Sequence, residues 1–416
     1  MKSNDAPGEW RLVNATLVLP DRLVHGGALH VRDGRIESLG RADDLPRWDG
    51  ATVDAGGQYA SPGFVDMHVH GGGGADFMDG TVAAFETAVR AHTRHGTTSI
   101  VPTTTVARHE QTMQFFAVCR EMRRRGARPA AGLARVAGSH LYGPYFAPEK
   151  VGCHPKDEAR PPTPEEYGEY LGFAADGTLV VATCAPELPG AAGFYRAARE
   201  RGVRLNAGHS NASWDEMAAA HESGVRHVDH FFCAMSNYVS LRTRFGTPMR
   251  GGMMEFVLAT PDMTTELIAD GRHLAPELLR FVLTMKGAAR TALVTDCMRA
   301  LDLPPGEYTF GPLDGGEVVY SDGTVGLMPD RSGLASSVRG MDFMVRHVHR
   351  TVGVDLPTAV RMASLTPATI LGMEREAGSL EAGKRADLLL LDNDLAVSAV
   401  WVGGQQINLS QANLSS

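Results

Sequence analysis

The sequence predicts an α/β protein: a (β/α)8 TIM-like barrel carrying a small β-sandwich domain built from both chain ends. Three observations predict it. Between residues 63 and 373, short apolar runs alternate with amphipathic helical patterns, and the runs number eight. Both ends of the chain read as strands without intervening helices. Histidines and carboxylates recur where the eight runs stop, the end of a parallel barrel at which active sites are built.

Taken in order, residues 10–19, 28–31 and 35–39 alternate or run apolar, with Asp33-Gly34 as a hairpin signal. Residues 386–391 and 399–402 supply matching strands at the other end. The two ends are expected to meet as one small β domain, residues 1–62 and 374–416, interrupted by the barrel, residues 63–373. The barrel strands are expected at 64–70, 98–102, 136–142, 178–184, 204–209, 227–232, part of 256–270, and 292–296. Helical patterns at 82–95, 110–125, 189–201, 213–223 and 276–286 lie between them, most ending at a glycine. Two further helices, 338–351 and 357–371, exceed the minimum and should cover the barrel.

Composition narrows the function. The chain has 416 residues, 43% of them hydrophobic and 21% charged, which is ordinary for a globular enzyme. A net charge of -8 gives no electrostatic footprint for nucleic acid or an anionic membrane, so the expected partner is a small molecule. The five cysteines, Cys119, Cys153, Cys184, Cys233 and Cys297, are odd in number and form no C-x-x-C pair. That suits free thiols in a reducing cytoplasm. The polar N-terminus lacks a signal pattern, and no apolar run approaches the ~18 residues of a membrane span.

The chemistry starts in Pro62-Gly63-Phe64-Val65-Asp66-Met67-His68-Val69-His70-Gly71. Residues two apart on a strand point the same way, so His68 and His70 aim at one spot beyond its carboxyl end. The fifth strand ends in Gly208-His209-Ser210-Asn211, and the sixth carries Asp229-His230. The seventh runs into Ala269-Asp270-Gly271-Arg272-His273, and the eighth ends in Thr295-Asp296. Imidazole and carboxylate together suit a borderline divalent ion, most simply one Zn2+, with a position left for water. Such an ion lowers the pKa of water toward ~7, and a neighbouring carboxylate, Asp296, can carry the proton. Amide, ester or amidine-like bonds are the targets this chemistry fits.

These motifs resemble the amidohydrolase superfamily and, within it, the N-acetylglucosamine-6-phosphate deacetylases. Further matching segments are Gly96-Thr97-Thr98-Ser99-Ile100-Val101-Pro102-Thr103, Ala185-Pro186-Glu187, Leu293-Val294-Thr295-Asp296 and Gly378-Ser379-Leu380-Glu381-Ala382-Gly383-Lys384-Arg385-Ala386-Asp387-Leu388. The resemblance implies a cytoplasmic homodimer that removes the acetyl group of a phosphorylated amino sugar. It implies metal ligands His209 and His230 beside His68, His70 and Asp296, with Asp296 as general acid/base. It also implies His154 as the group polarising the scissile carbonyl, and His273 as a contact to the sugar phosphate.

Three departures stand out. The family's His-Leu-Glu-Gly-Pro, whose Glu is a ligand, is His140-Leu141-Tyr142-Gly143-Pro144 here. A phenol is a poor substitute for a carboxylate, which favours one ion over a bridged pair, held by His68, His70 and Asp296 with His209 or His230, or else by His209 and His230 with water completing the shell. Tyr142 is then free to orient substrate or to stabilise an oxyanion through its hydroxyl. The family's His-x-x-Asn-Ala-Met is His230-Phe231-Phe232-Cys233-Ala234-Met235, placing Cys233 and Ala234 near the substrate. The family's arginine that pairs with phosphate across the dimer has no clean match; Arg242, Arg244 and Arg250 lie in that segment, to bind an anion or to face solvent. Two other readings remain: a mononuclear deaminase or cyclic-amide hydrolase, and a non-catalytic homologue that only binds its ligand. Ala212, where the deaminases carry a glutamate, weighs against the first, and the retained histidines with Asp296 weigh against the second.

Overall fold

All eight expected runs form strands, and they pair in parallel. The computed structural model describes residues 8–126 and 133–409. Phe64–Val69, Thr97–Pro102 and Arg135–Val136 make a three-stranded ladder. Ser139–Leu141, Leu179–Thr183, Arg204–Ala207, His227–Val228, Thr264–Ile268 and Thr291–Val294 make a second, six-stranded one in sequence order. The third expected strand therefore splits at Ala137-Gly138, one half joining each arc. Gly138 is needed there, since a Cβ would stand 2.5 Å from the Val180 side chain.

Thr103 and His140 pair between the arcs on one side. On the other, the Asp296 N–H donates to the His68 carbonyl and the His70 N–H to the Cys297 carbonyl, each at 2.9 Å. The first, second and eighth strands are buried at every position, which is why their sequences run apolar without alternation.

Helices fall between the strands where the 3.6-residue pattern places them. Thr81 caps Val82–Arg94, and Ser213 with Glu216 forms a capping box on Trp214–Glu222. Of the span 256–270, part of which is expected as a strand, Thr264–Ile268 is the strand and residues 256–259 belong to the helix Met253–Ala259. Met253, Phe256 and Val257 are buried at i, i+3 and i+4 there, a spacing that only a helix can point to one side. The helical run 357–371 breaks at Ser364 into Leu356–Ala363 and Leu365–Leu371.

The chain ends share one eight-stranded sheet in which Leu388–Leu391 pairs with Tyr59–Pro62. The ladder is continuous and folds over on itself, bringing the Glu9–Val18 strand against Val397–Val402. The reason lies in the long strand Glu9–Val18, which shifts register twice. Its first half pairs with Ala51–Asp54 and its second with Tyr59–Pro62, so one bent strand serves two neighbours. Trp10, Leu12, Leu29, Leu388 and Trp401 form a core of their own, with Trp10 stacked on Trp401 at 5.6 Å. At the Asp33-Gly34 turn both residues have positive φ, as a two-residue hairpin between right-twisted strands requires.

An unexpected antiparallel sheet of four strands, Gly306–Phe310, Glu317–Ser321, Val325–Leu327 and Leu334–Ser337, follows the eighth parallel strand. Its signal was present in the alternating Glu317-Val318-Val319-Tyr320-Ser321 before Asp322-Gly323. Among the described residues no helix is long and apolar enough to cross a membrane.

Gly340 supplies a test of this packing. A Cβ there would lie 2.2 Å from His95 Cγ, and that ring is fixed between Asp302 and Asp342 at 2.9 Å each. Gly340→Ala should lower stability by about 1–3 kcal/mol through overpacking. Gly168, on a helix with open space around it, should gain about 0.5–1 kcal/mol on replacement by Ala. Urea unfolding of the two variants checks the contrast.

The same trio sets a pH dependence. Burial alone would lower the His95 pKa, but the hydrogen bonds to Asp302 and Asp342 overcome it and raise it from 6.5 to about 10. A raised folded-state pKa means stabilisation that is complete below pH 6.5 and is lost as pH rises through about 10. His95→Gln should flatten the stability profile in that window.

Candidate active site

The carboxyl ends of the parallel strands enclose a cavity of 340 Å3. It is lined by His70, Tyr142, Lys150, His154, His209, His230, Cys233, Ala234, His273 and Asp296, with Phe310, Leu334 and Ser336 contributed by the antiparallel sheet. His68 lies beneath, fully buried.

The first strand places Asp66, His68 and His70 on one face. Asp66 accepts from the Thr295 hydroxyl at 2.6 Å and from its N–H at 3.2 Å, fastening the first strand to the eighth beside Asp296. His68 Nδ1 donates to Glu266 at 2.8 Å, which leaves Nε2 facing Asp296 Oδ1 at 3.6 Å with no hydrogen-bond partner. His70 Nε2 lies 3.2 Å from the same Asp296 oxygen.

The fifth strand places His209, whose Nδ1–H donates to the Lys150 carbonyl at 2.6 Å and whose ring stacks on Phe146 at 4.1 Å. Gly208 precedes it because a Cβ there would stand 2.2 Å from Asp229 Oδ2. His230 on the sixth strand donates its backbone N–H to Glu266 at 3.1 Å, and its Nε2 hydrogen-bonds the Tyr142 hydroxyl. His154 Nδ1 accepts from the Val106 N–H at 3.2 Å, so its proton resides on Nε2.

Below the rim runs a closed polar network. His140 Nε2–H donates to the Thr183 hydroxyl at 2.7 Å, Thr183 to Asp229 at 2.8 Å, and Asn206 to the other Asp229 oxygen at 2.7 Å.

Five non-glycine residues at the rim have positive φ: His209, Phe232, Ala234, Asp296 and Ser336. Each is a conformation that side chains disfavour, and such residues concentrate at functional sites. Strand-ending turns of this kind are what swing His209 and Asp296 toward the cavity.

Burial and neighbouring charges set the protonation states. For Asp296 burial opposes ionisation, but the His70 hydrogen bond and the His68, His70 and His230 rings outweigh it and hold the carboxyl well below its usual range. Burial keeps His154 and His209 neutral, and pushes His230 down to about 4. His68 is the exception: with no ion bound, the Glu266 charge and hydrogen bond overcome burial and raise it to about 9, and an ion at Nε2 would take the place of the proton held there. Burial, with Asp229, Asp296 and Glu266 nearby, drives the Tyr142 phenol well above 10, so it stays a neutral hydroxyl.

Of the residues singled out from sequence, the structure brings together His68, His70, Tyr142, His154, His209, His230, Cys233, Ala234, His273 and Asp296. It does not bring Arg242 or Arg244 to the cavity wall. Both lie on the helix Tyr238–Phe245, and Arg244 is held in a two-pronged ion pair with Glu216 at 2.6 and 2.7 Å. Sequence reasoning missed Lys150, whose Nζ donates to the Met235 carbonyl at 3.3 Å beside the cavity. It also missed Glu266. A carboxylate inside the buried strand Thr264–Ile268 was the available signal, since such a group is buried only with partners.

The donor set fits a divalent ion. His68, His70 and Asp296 offer ligand atoms that all lie within 4.8 Å of one another. Metal–ligand bonds near ~2.1 Å imply ligand-to-ligand separations of roughly 3.3 Å in a tetrahedron. The unpartnered His68 Nε2 is a lone pair that an ion would satisfy.

The comparisons agree with the fold. Residues 59–407 match the profile of the amidohydrolase family. The chain is 35% identical to N-acetylgalactosamine-6-phosphate deacetylase of Escherichia coli O157:H7, over 91% of this chain and 93% of that protein. It is 32% identical to N-acetylglucosamine-6-phosphate deacetylase of Vibrio furnissii, over 83% and 82%. Among solved structures, a mutant N-acetyl-D-glucosamine-6-phosphate deacetylase of Mycobacterium smegmatis, in complex with N-acetyl-D-glucosamine-6-phosphate, superposes with a TM-score of 0.85 at 30% identity, covering 96% of this chain and 99% of that one. The Pasteurella multocida N-acetylglucosamine-6-phosphate deacetylase gives 0.86 at 27%, with the same coverage. Fold, rim and relatives define a hydrolase acting on carbon–nitrogen bonds other than peptide bonds. The chain belongs to the amidohydrolase family.

Glu266 is the group on which the rim geometry should depend. Glu266→Ala would leave His68 and the His230 N–H without their acceptor and should cost roughly 3–5 kcal/mol. Denaturant unfolding measures it, and an unchanged midpoint would contradict the assignment.

Proposed function

We propose that the protein hydrolyses the acetamide of an N-acetylated hexosamine 6-phosphate, releasing acetate and the free amine. The observation carrying this reading is Asp296: an ionised carboxylate at the floor of a substrate-sized cavity, 3.2 Å from His70, with the His154 donor in the same wall. The chain's similarity to deacetylases of both the gluco and galacto amino-sugar phosphates supports the substrate class.

The cofactor we assign is one Zn2+, with ligands drawn from His68, His70, His209, His230 and Asp296. When bound it would supply a Lewis acid and a water ionisable near neutral pH. The chain's own groups do the rest. The neutral His154 donates Nε2–H to the carbonyl oxygen, where negative charge grows as water adds to the carbon. Asp296 takes the proton of that water and returns it to the amine nitrogen as the C–N bond breaks, so the carboxylate is regenerated. The phosphate finds partners in Lys150 and His273; Asp270 bonds His273 Nδ1 at 2.7 Å and fixes its ring.

The same reading closes the two arcs into one eight-stranded barrel, residues 63–373, with residues 1–62 and 374–416 as its β domain. It places the enzyme in the cytoplasm as a homodimer. Exposed Trp214, Tyr238, Val239, Phe245 and Met249, gathered around the helix Tyr238–Phe245, support self-association.

Acetate release from N-acetylglucosamine 6-phosphate, N-acetylgalactosamine 6-phosphate and both unphosphorylated sugars tests the proposal on zinc-loaded protein. Turnover of a phosphorylated sugar, abolished by a chelator and restored by zinc, is expected. Turnover of none would overturn it. His154→Asn should lower kcat by about 10²–10³-fold with metal content unchanged.

A further inference from the structure

We propose that Tyr142, whose hydroxyl is seated against His230 Nε2, keeps the His209–His230 pair free of metal, so that the chain binds a single ion at His68, His70 and Asp296. This deepens the reading above and rests on it for the presence of a metal, not for the identity of the substrate.

The two faces of the rim differ in what they offer an ion. On one face His68 Nε2, His70 Nε2 and Asp296 Oδ1 stand 3.2 and 3.6 Å apart across the shared oxygen, close to a tetrahedral edge. His68 is locked through Glu266 in the tautomer that turns its lone pair inward, the arrangement that orients a metal-binding histidine. That lone pair is fully buried and has no partner.

On the other face, His209 and His230 have no third ligand. Among the described residues neither belongs to any group of three histidine, cysteine or carboxylate side chains with ligand atoms in mutual reach. The Tyr142 hydroxyl is hydrogen-bonded to His230 Nε2, the atom that would have to face an ion. It brings no carboxylate oxygen to complete a shell there.

Tyr142 cannot readily yield its place. Its ring centre lies 4.4 Å from that of His68, 4.8 Å from Phe146, 5.2 Å from His209 and 5.6 Å from His154. The side chain is buried to 1% exposure, and rotating it out would collide with these rings. The phenol therefore fills the space that an ion at His209 and His230 would need.

The experiment counts zinc per chain by elemental analysis after saturation and desalting, with the fold of each variant checked by circular dichroism. Wild type and His209→Ala should each retain one ion, and Asp296→Ala and His70→Ala should lose it. Tyr142→Glu, which places a carboxylate beside His209 and His230, should rise to two ions. If that variant does not fold, the His209→Ala and Asp296→Ala pair decides alone. Zinc should raise no phenolate absorbance in wild type, since the ion sits away from Tyr142.

Two ions in wild type would overturn the proposal. So would an ion lost from His209→Ala but kept by Asp296→Ala, or a phenolate band on loading. No zinc in wild type would overturn both this inference and the metal reading. One ion placed as described, with no amino-sugar turnover, would sink the proposed substrate and leave this inference standing.

Discussion

The buried hydrogen bond between His68 Nδ1 and Glu266 is the contact on which the rim depends. It joins the first parallel strand to the seventh and decides which imidazole nitrogen faces the cavity. The same carboxylate oxygen accepts the backbone N–H of His230, so one side chain sets the position of two histidines on different strands. With both side chains inaccessible to solvent, each charge persists only because of the other. Glu266 stays ionised against burial through His68 and His227. Losing either partner would leave a charge in a low-dielectric interior, where no water can replace it.

That constraint explains why the interior holds so many polar groups where a barrel is ordinarily filled with branched aliphatics. His140, Thr183, Asp229 and Asn206 form a chain in which every donor has a geometrically sound acceptor. Burial and the neighbouring Glu266 raise Asp229 to about 7, so the network tolerates a carboxyl at the edge of ionisation. A connected network of this kind fixes relative strand positions more sharply than interchangeable apolar contacts can. The rim above it carries the backbone strain of His209 and Asp296, and the rigidity beneath is what allows that strain to persist.

Much of this was legible in the sequence, for a physical reason: a strand terminus is where side-chain identity and position are most tightly coupled. His68, His70, His209, His230 and Asp296 could be read because each ends or follows a buried run. What was not legible depended on contacts between distant segments. Glu266 sits within a strand, and nothing local tells which histidine it holds. Lys150 reaches the cavity through a loop whose path the sequence does not fix. Arg244 pairs with Glu216, 28 positions earlier, a contact that nothing local in the sequence announces. The bend of Glu9–Val18 arises from register shifts that periodicity cannot reveal, so the way one strand serves two neighbours was not legible.

The antiparallel sheet after the eighth strand bears on how the site works. It brings Phe310, Leu334 and Ser336 to the cavity opposite the histidines, and Phe310 stacks edge-on against His70 and His154 at 5.1 and 5.0 Å. Apolar cover on that side lowers the local dielectric, which strengthens the Asp296–His70 attraction and the pull of His154 on a developing oxyanion. It also accounts for the perturbed protonation states. The same burial that keeps His154 a neutral donor would keep Asp296 a neutral acid, were it not for the imidazoles within reach of its oxygen. Acid and base are thus distinguished by neighbours and not by residue type. Tyr142, packed at the centre of these rings, belongs to the same logic: a neutral group where a charge would otherwise have to be compensated.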